Sequence, residues 1–146
     1  MAVGPYDDDE WTVGEARAED GVSMIVRFRS HLPSAAAREA WRHLIQIGWS
    51  CESADEEGVP DDVESGLQDA FEDALQAHVE ARGDGAQVGS MTGGGVREWR
   101  YYTRDPEAFF RSLNEALSSH PEYPLEFGTF EDPDWEGLTE LLPRLN

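Results

Sequence analysis

Two short arginine-bearing segments hold the side chains of this chain that are best suited to binding chemistry. Residues 91–104, MTGGGVREWRYYTR, carry three arginines interleaved with aromatic residues after a three-glycine turn. Guanidinium groups beside aromatic rings are typical of surfaces that bind planar or anionic partners, although aromatic residues in a strand are also ordinary packing. In the earlier segment, Arg27 and Arg29 share one face of a predicted strand. The candidate ligand- or partner-binding residues, here called the Arg/aromatic cluster, are Arg27, Arg29, Arg97, Trp99 and Tyr101.

This Arg/aromatic cluster has two interpretations. If the faces of the two strands coincide on the open side of the sheet, the cluster is a basic patch that would bind a peptide, a carboxylate-bearing ligand or an acidic loop. Alternatively, the arginines form ion pairs with some of the 31 acidic residues. The abundance of carboxylates favours the ion pairs.

Other motifs that suggest chemistry have simpler structural explanations. A phosphate loop at Thr92-Gly93-Gly94-Gly95 would need a following helix and a lysine, but a strand follows and the chain contains no lysine. The segment is therefore predicted to be a hairpin turn. Glu98 is interpreted as a cross-strand partner of an arginine, and Cys51 as a small core residue rather than a nucleophile.

No metal site is predicted. The four histidines, at positions 31, 43, 78 and 120, are far apart and show no metal-ligand spacing. Asp7, Asp8 and Asp9 lack the glycine and the spaced ligands of a calcium loop. Residues 1–10 are therefore predicted to be a solvated acidic tail.

The charge of the chain narrows the choice of partner. The chain has 146 residues, 31 of them acidic and 11 basic, and a formal net charge of −20. Such a charge repels nucleic acids and anionic membrane surfaces and speeds association with a basic partner. Solubility alone is the simpler explanation. The length fits one domain with its own hydrophobic core, which we place at residues 11–146.

The sequence indicates a cytoplasmic protein without a cofactor. Cys51 is the only cysteine, which excludes an intrachain disulfide and a thiolate metal cluster. The first ten residues, MAVGPYDDDE, have neither the basic nor the apolar run of a signal peptide. No segment has the ~20 apolar residues of a membrane helix.

The order of predicted elements indicates an α+β fold. Strands are predicted at residues 11–18, 23–30, 43–51, 86–92, 96–103 and 125–130, and helices at 62–81 and 106–118. Residues ~43–130 thus follow the strand and helix order of a two-layer ferredoxin-like βαββαβ core. We expect a mixed sheet with both long helices on one face, an added N-terminal hairpin turning at Asp20-Gly21, and a short C-terminal helix.

The final helix is predicted to begin with Asp132 as its N-cap and Pro133 at its first position. Trp135 would then lie in the first helical turn, where its indole can close over the core. We interpret Trp135 as structural rather than functional.

Several motifs, in their order along the chain, resemble a known family. They are Trp11, Ile25-Val26-Arg27, Gly58-Val59-Pro60, Arg97-Glu98-Trp99, Tyr101-Tyr102 and Asp132-Pro133-Asp134-Trp135. Over roughly residues 10–142 the chain resembles the bacterial family known as domain of unknown function 695, except that Leu138 stands where the family pattern has a tyrosine. The resemblance implies no activity, cofactor or catalytic residue. Some relatives are joined to a domain similar to acidic regulators of ribonuclease activity, an analogy that does not establish function.

Two functional hypotheses follow. The first is a non-catalytic protein-binding or inhibitory module for a basic partner, based on the charge and chiefly on the acidic strip from Glu52 to Glu80. The second is a small-ligand or enzymatic site on the open sheet face, built from the Arg/aromatic cluster. The sequence spells out no reaction, so the non-catalytic role is favoured.

Overall fold

The computed structural model describes residues 4–6, 8–17, 23–51 and 61–142. Its strands are β1 (Trp11–Arg17), β2 (Ser23–Arg29), β3 (His43–Ser50), β4 (Ala86–Gly93), β5 (Val96–Thr103) and β6 (Leu125–Glu131). Its helices are α1 (Ala35–Ala40), α2 (Asp62–Leu75), which continues into a π-helical turn (Gln76–Glu80), α3 (Pro106–Ala116) and α4 (Glu136–Thr139). The predicted Asp20-Gly21 turn and the loop at 52–60 lie outside the described residues.

All six strands form one sheet in the order β1-β2-β4-β5-β3-β6. Every neighbouring pair in this order is antiparallel. The α+β class is confirmed, whereas the prediction of a mixed sheet is wrong, because β5 lies between β3 and β4 and runs opposite to both. The ferredoxin-like topology predicted for residues ~43–130 is not confirmed, because the strand order of the whole sheet differs: β2 and β1 extend it beyond β4.

Each face of the sheet packs against its own hydrophobic cluster. On the helix face, α2 and α3 cover the apolar side chains of β3 and β5; the cluster is Ile45, Ile47, Trp49, Phe71, Leu75, Val79, Trp99, Tyr101, Phe109 and Leu113. The opposite face is covered by Tyr6, Trp41 and the C-terminal segment; this cluster includes Val26, Phe28, Leu44, Val88, Tyr102, Trp135 and Leu138. The face that the sequence left open is therefore largely buried.

Two of the helices begin at the predicted residues, 62 and 106, and an aspartate caps each of them. The carboxylate of Asp61 accepts a hydrogen bond of 2.8 Å from the N–H of Glu64 at the start of α2. At the start of α3, Asp105 accepts one of 3.0 Å from the N–H of Glu107. The glycine turn between β4 and β5 is also confirmed, because Gly94 and Gly95 have φ values of 63° and 82°, as two-residue hairpins favour.

The start of α4 differs from the prediction. Trp135 has left-handed backbone angles, φ 58° and ψ 42°, and immediately precedes the helix. Asp132 lies farther upstream, and its carboxylate accepts hydrogen bonds from the N–H of Glu136 at 3.0 Å and of Gly137 at 2.9 Å. The N–H of Trp135 donates a hydrogen bond of 3.1 Å to the carbonyl of Asp132. This closes a turn before α4, so Asp132 caps the helix across that turn instead of standing at its N-cap.

The described part of the acidic N-terminal segment packs on the sheet. Tyr6 is buried in the opposite-face cluster, and its hydroxyl donates a hydrogen bond of 2.6 Å to the carbonyl of His31.

Among the described residues, every helix is too short or too polar to traverse a lipid bilayer.

Candidate functional site

Glu72 of α2 joins three residues that the sequence singled out. Its Oε2 accepts hydrogen bonds from Arg97 Nη2 at 2.8 Å and from Trp99 Nε1 at 3.1 Å. Its Oε1 lies 3.9 Å from Arg27 Nη1 of β2. Glu72 thus links α2 to β5 and lies near β2. The sequence analysis missed it because it is one of many carboxylates on an amphipathic helix.

Arg97 is paired with the protein itself. Besides Glu72, its Nη1 lies 3.4 Å from both Gln68 Oε1 and Asp69 Oδ1. Its guanidinium carbon lies 4.8 Å from the centroid of the Trp99 ring, and only 15% of its side chain is exposed. This is the geometry of the ion-pair interpretation, with the positive charge of Arg97 matched by acids of α2.

Trp99 and Tyr101 lie beneath the helices. Both side chains are fully buried in the helix-face cluster. The alternation along β5 that places them on the same face as Arg97 therefore also places them in the core. Burial raises the pKa of the Tyr101 hydroxyl well above its usual range. A partner would have to displace α2 or α3 to reach either ring.

Arg29 lies apart from Arg97, in an aromatic sandwich at the start of the chain. Its guanidinium carbon is 4.5 Å from the ring centroid of Tyr6 and 4.4 Å from that of Trp11. Its Nη1 donates to the carbonyl of Asp8 at 3.0 Å and lies 3.3 Å from Asp9 Oδ1. Arg27 also stacks on Trp11, at 3.8 Å. The sequence predicted these arginines but not their aromatic partners.

A cleft of about 360 Å³ separates α2 from β2 and β4 on the helix face. Its walls are Arg27, Asp69, Glu72, Asp73, Ser90 and Arg97. Farther along, the π-helical turn places Glu80 so that its Oε1 accepts a hydrogen bond of 2.9 Å from the N–H of Gln87. Burial, partly opposed by this hydrogen bond and by Arg29, raises the pKa of the Glu80 carboxyl.

The acidic strip predicted as a partner surface points partly inward. Glu72 and Glu80 are half-buried. Glu64 is buried and accepts a hydrogen bond of 3.1 Å from Trp49 Nε1. Outward on α2 lie Asp62, Asp69 and Asp73. The part of the strip at residues 52–60 lies outside the described residues.

Strand β6, at one end of the sheet, exposes aromatic and acidic side chains that the sequence analysis did not select. Phe127 is 44% exposed and Phe130 49% exposed. Phe127 contacts Phe110 of α3, with ring centroids 5.5 Å apart. Phe130 faces a groove of about 280 Å³, whose other lining residues are Leu44, Gln46, Glu131, Asp132, Glu136, Gly137 and Glu140. The sequence contained a signal for the exposure of one of these rings, because aromatic residues three apart in one strand point to opposite faces of the sheet.

Glu98 and Cys51, which the sequence also singled out, have structural roles. Glu98 accepts a hydrogen bond of 2.8 Å from Arg100 Nε, two residues along the same strand and not across it as predicted. Cys51 is half-buried, and Gln68 Nε2 lies 3.5 Å from its Sγ. Burial raises the pKa of the Cys51 thiol, which makes it a poor nucleophile.

Comparison with known proteins agrees with the motif order in the sequence. No curated protein matches the chain. A family of unknown function, DUF695, matches residues 9–142, which is nearly the whole sequence. The match includes all six strands and the four helices named above. This chain therefore belongs to the DUF695 family, whose function is unknown.

Proposed function

We propose that this protein is a non-catalytic module that binds a basic protein along the outer edge of β6. One observation carries the proposal: Phe127 and Phe130 are about half exposed on an end strand of the sheet. The exposed carboxylates of Glu126 and Glu136 border them, while that of Glu131 is paired with Arg42 at 2.8 Å. Aromatic anchors with a charged rim are the usual composition of a protein interface.

The distribution of the arginines supports a basic partner. Six of them lie within 3.9 Å of a carboxylate of the same chain; they are Arg27, Arg29, Arg42, Arg82, Arg97 and Arg100. Arg104 donates to the carbonyl of Gly83 and stacks on Trp41. Since these cations are engaged internally and the formal net charge is −20, the long-range field attracts basic molecules.

Strand pairing is the mode of binding that suits β6. It is paired with β3 on one side, and among the described residues no strand pairs with it on the other. An extended segment of the partner would hydrogen-bond to that outer edge and alternate its side chains over the two faces. Basic side chains would then lie near Glu126 and Glu136. Acidic residues on an edge strand also discourage self-association, so the experiment must distinguish the two roles.

The fold supports the same proposal by analogy. We propose that strands β4, β5, β3 and β6 with α2 and α3 are related to a split βαβ, ferredoxin-like unit. We propose that the β1–β2 pair was added to such a unit and that the protein acts in the cytoplasm. Acidic inhibitors with this strand order are the precedent, although fold alone does not establish function.

Affinity capture with matched variants tests the proposal. Three forms of the full chain are immobilised: the wild type, the double variant Phe127→Ser/Phe130→Ser, and Val13→Ser. Each is then incubated with host extract. Val13 is a suitable control because it is an apolar residue, 65% exposed, on β1 at the other end of the sheet. We expect the wild type and Val13→Ser to retain the same basic protein, and the double variant to lose it.

Raising the salt from about 50 mM to about 300 mM NaCl should release that partner, because screening weakens exposed charge pairs. Two results would contradict the proposal: capture of no basic protein at low salt, or equal capture by the double variant. Circular dichroism of each variant confirms that it is folded.

A second candidate function has one observation in its favour. The Tyr101 hydroxyl and Gln87 Nε2, on residues that face each other across β5 and β4, are buried and lack a hydrogen-bond partner in the described part of the chain. The cleft between α2 and strands β2 and β4 is lined by Arg27, although neither Gln87 nor Tyr101 lines it. In this second candidate, Arg27 would hold a small carboxylate- or phosphate-bearing ligand there. Thermal-shift screening with metabolites and nucleotides should find a ligand whose effect Arg27→Ala abolishes and Arg38→Ala preserves. No hit, or a hit that survives Arg27→Ala, removes this candidate.

A further inference from the structure

The geometry points to a divalent transition-metal site formed by Asp8, Glu10 and His31. One ligand atom from each residue, a carboxylate oxygen or an imidazole nitrogen, lies within 4.8 Å of the other two. His31 Nε2 is 3.0 Å from Asp8 Oδ2 and 3.7 Å from Glu10 Oε2. The site is at the start of β1 and the end of β2, at the opposite end of the sheet from β6, so it is independent of the proposed partner surface.

The imidazole is oriented as a metal-binding histidine is. His31 Nδ1 lies 3.0 Å from the carbonyl oxygen of Leu32. A carbonyl only accepts, so this contact places a proton on Nδ1. Once Nε2 has lost its proton, as in a metal-bound ring, its lone pair is directed at the two carboxylates. A backbone carbonyl that fixes the tautomer in this way is the common outer partner of metal-bound histidine.

Three acceptor atoms that converge need a cation between them. Two carboxylates and an imidazole lone pair repel one another unless a proton or a metal ion lies among them. The 3.0 Å from Nε2 to Asp8 Oδ2 is the length of a hydrogen bond from a protonated ring, and the separations from Nε2 also suit a metal ion. Ligand atoms about 2.1 Å from a tetrahedral ion are about 3.4 Å apart, and nearer 3.0 Å when the angle at the ion is close to 90°. The distances of 3.0 and 3.7 Å from Nε2 bracket the tetrahedral value.

Contacts outside the cluster hold each ligand residue in place. The carbonyl of Asp8 accepts a hydrogen bond of 3.0 Å from Arg29 Nη1. The carbonyl of Glu10 accepts one of 3.1 Å from the N–H of Ser30. The carbonyl of His31 accepts one of 2.6 Å from the hydroxyl of buried Tyr6. The three backbones are therefore fixed before any ion arrives, which lowers the entropic cost of binding.

The donor set selects the class of ion. Calcium and magnesium prefer all-oxygen sites, whereas one imidazole nitrogen with two carboxylates suits zinc, manganese or ferrous iron. All three residues are exposed, so solvent can supply the remaining ligands. A bound ion would link the N-terminal segment to the end of β2. The sequence analysis predicted no metal because Asp8 and His31 are 23 residues apart.

Calorimetric titration of the chelator-treated full chain with Zn²⁺ tests the site. We expect one equivalent to bind with a Kd below ~100 µM. His31→Ala and Asp8→Asn should each weaken this binding at least ~10-fold. His78→Ala, on the π-helical turn, is the matched control and should bind as the wild type does. Cobalt(II) supplies a second readout: its visible absorption should show nitrogen and oxygen ligation that His31→Ala removes.

Three results would overturn the site. They are a Kd weaker than ~100 µM for the wild type, equal zinc binding by His31→Ala, and equal affinity for Mg²⁺ and Zn²⁺. The last two would mean that the acidic surface holds cations without a defined site. Circular dichroism of the metal-free variants shows whether each is folded. If His31→Ala does not fold, Asp8→Asn still tests the site, because asparagine keeps the shape of the aspartate side chain.

Discussion

Tyr102 and Trp135 stack face to face, with ring centroids 3.8 Å apart and an interplanar angle of 3°. The Tyr102 hydroxyl donates to Asp132 Oδ2 at 2.6 Å, and the Trp135 indole N–H donates to the carbonyl of Trp41 at 3.0 Å. One strand residue and one loop residue thereby attach the C-terminal segment to the sheet. Trp135 makes these contacts from a left-handed backbone conformation, with φ 58°.

Replacing Trp135 with alanine should destabilise the fold by about 3–5 kcal/mol, because it removes a fully buried ring, its stacking contact and a buried hydrogen bond. Urea denaturation followed by circular dichroism measures the free energy of unfolding. Trp135→Phe, which keeps an aromatic ring but not the indole N–H, should lose less. A stable Trp135→Ala variant that no longer binds a partner would move the functional surface to the C-terminal segment.

Arg97 and Glu72 should be energetically coupled. If they are a structural ion pair, a double-mutant cycle with Arg97→Ala and Glu72→Gln should give a coupling energy of about 1–3 kcal/mol. The pair is largely shielded from solvent, which limits screening. The cycle is measured by chemical denaturation of the wild type, both single variants and the double variant. Coupling near zero, with both single variants fully stable, would return Arg97 to the list of candidate ligand-binding residues.

Glu80 should make stability depend on pH. Burial raises the pKa of its carboxyl above the ordinary value of 4.5 in the folded state, against a contribution of the opposite sign from the Gln87 N–H. The folded state therefore holds this proton more tightly than the unfolded state. The stabilisation is present below 4.5 and is lost as the pH rises through the folded pKa.

Glu80→Gln keeps an acceptor for the Gln87 N–H but cannot ionise. The difference in unfolding free energy, variant minus wild type, should accordingly increase from acid to neutral pH. Thermal or urea unfolding across that range measures it. Glu122→Gln, in an exposed loop, controls for the loss of one negative charge. If both variants follow the same pH curve, the raised pKa of Glu80 is wrong.

Gly137 and Gly48 should respond oppositely to alanine. A Cβ on Gly137 would lie 2.7 Å from Leu44 Cδ2 and 2.9 Å from the Tyr102 hydroxyl oxygen. A Cβ on Gly48, in β3, would have no atom within 4 Å. We expect Gly137→Ala to cost about 1–3 kcal/mol through overpacking, and Gly48→Ala to be neutral or slightly stabilising. Melting temperatures compare the two, and equal values would mean that α4 shifts freely away from β3.

Features set by nearby residues could be predicted from the sequence. Asp61 and Asp105 cap their helices, and the glycine turn reverses the chain, because each depends on backbone groups a few residues away. The Asp132-Pro133 start was wrong for a related reason. Its pattern matches a helix N-terminus, but Trp135 stacks on a distant tyrosine and the helix begins only at Glu136.

The candidate sites divide in the same way. Alternation along β5 and β2 determined, from the sequence alone, that Arg97, Trp99 and Tyr101 share one face and that Arg27 and Arg29 share one. Only the tertiary structure decided which face the helices cover. As a consequence, Glu72 neutralises Arg97, and the rings of Trp99 and Tyr101 lie in the core. The tertiary structure alone also decided that His31 meets Asp8 and that Phe127 and Phe130 stand at an open edge. Side-chain alternation is a local property of the backbone, whereas burial and ligand geometry depend on contacts between residues far apart in the chain.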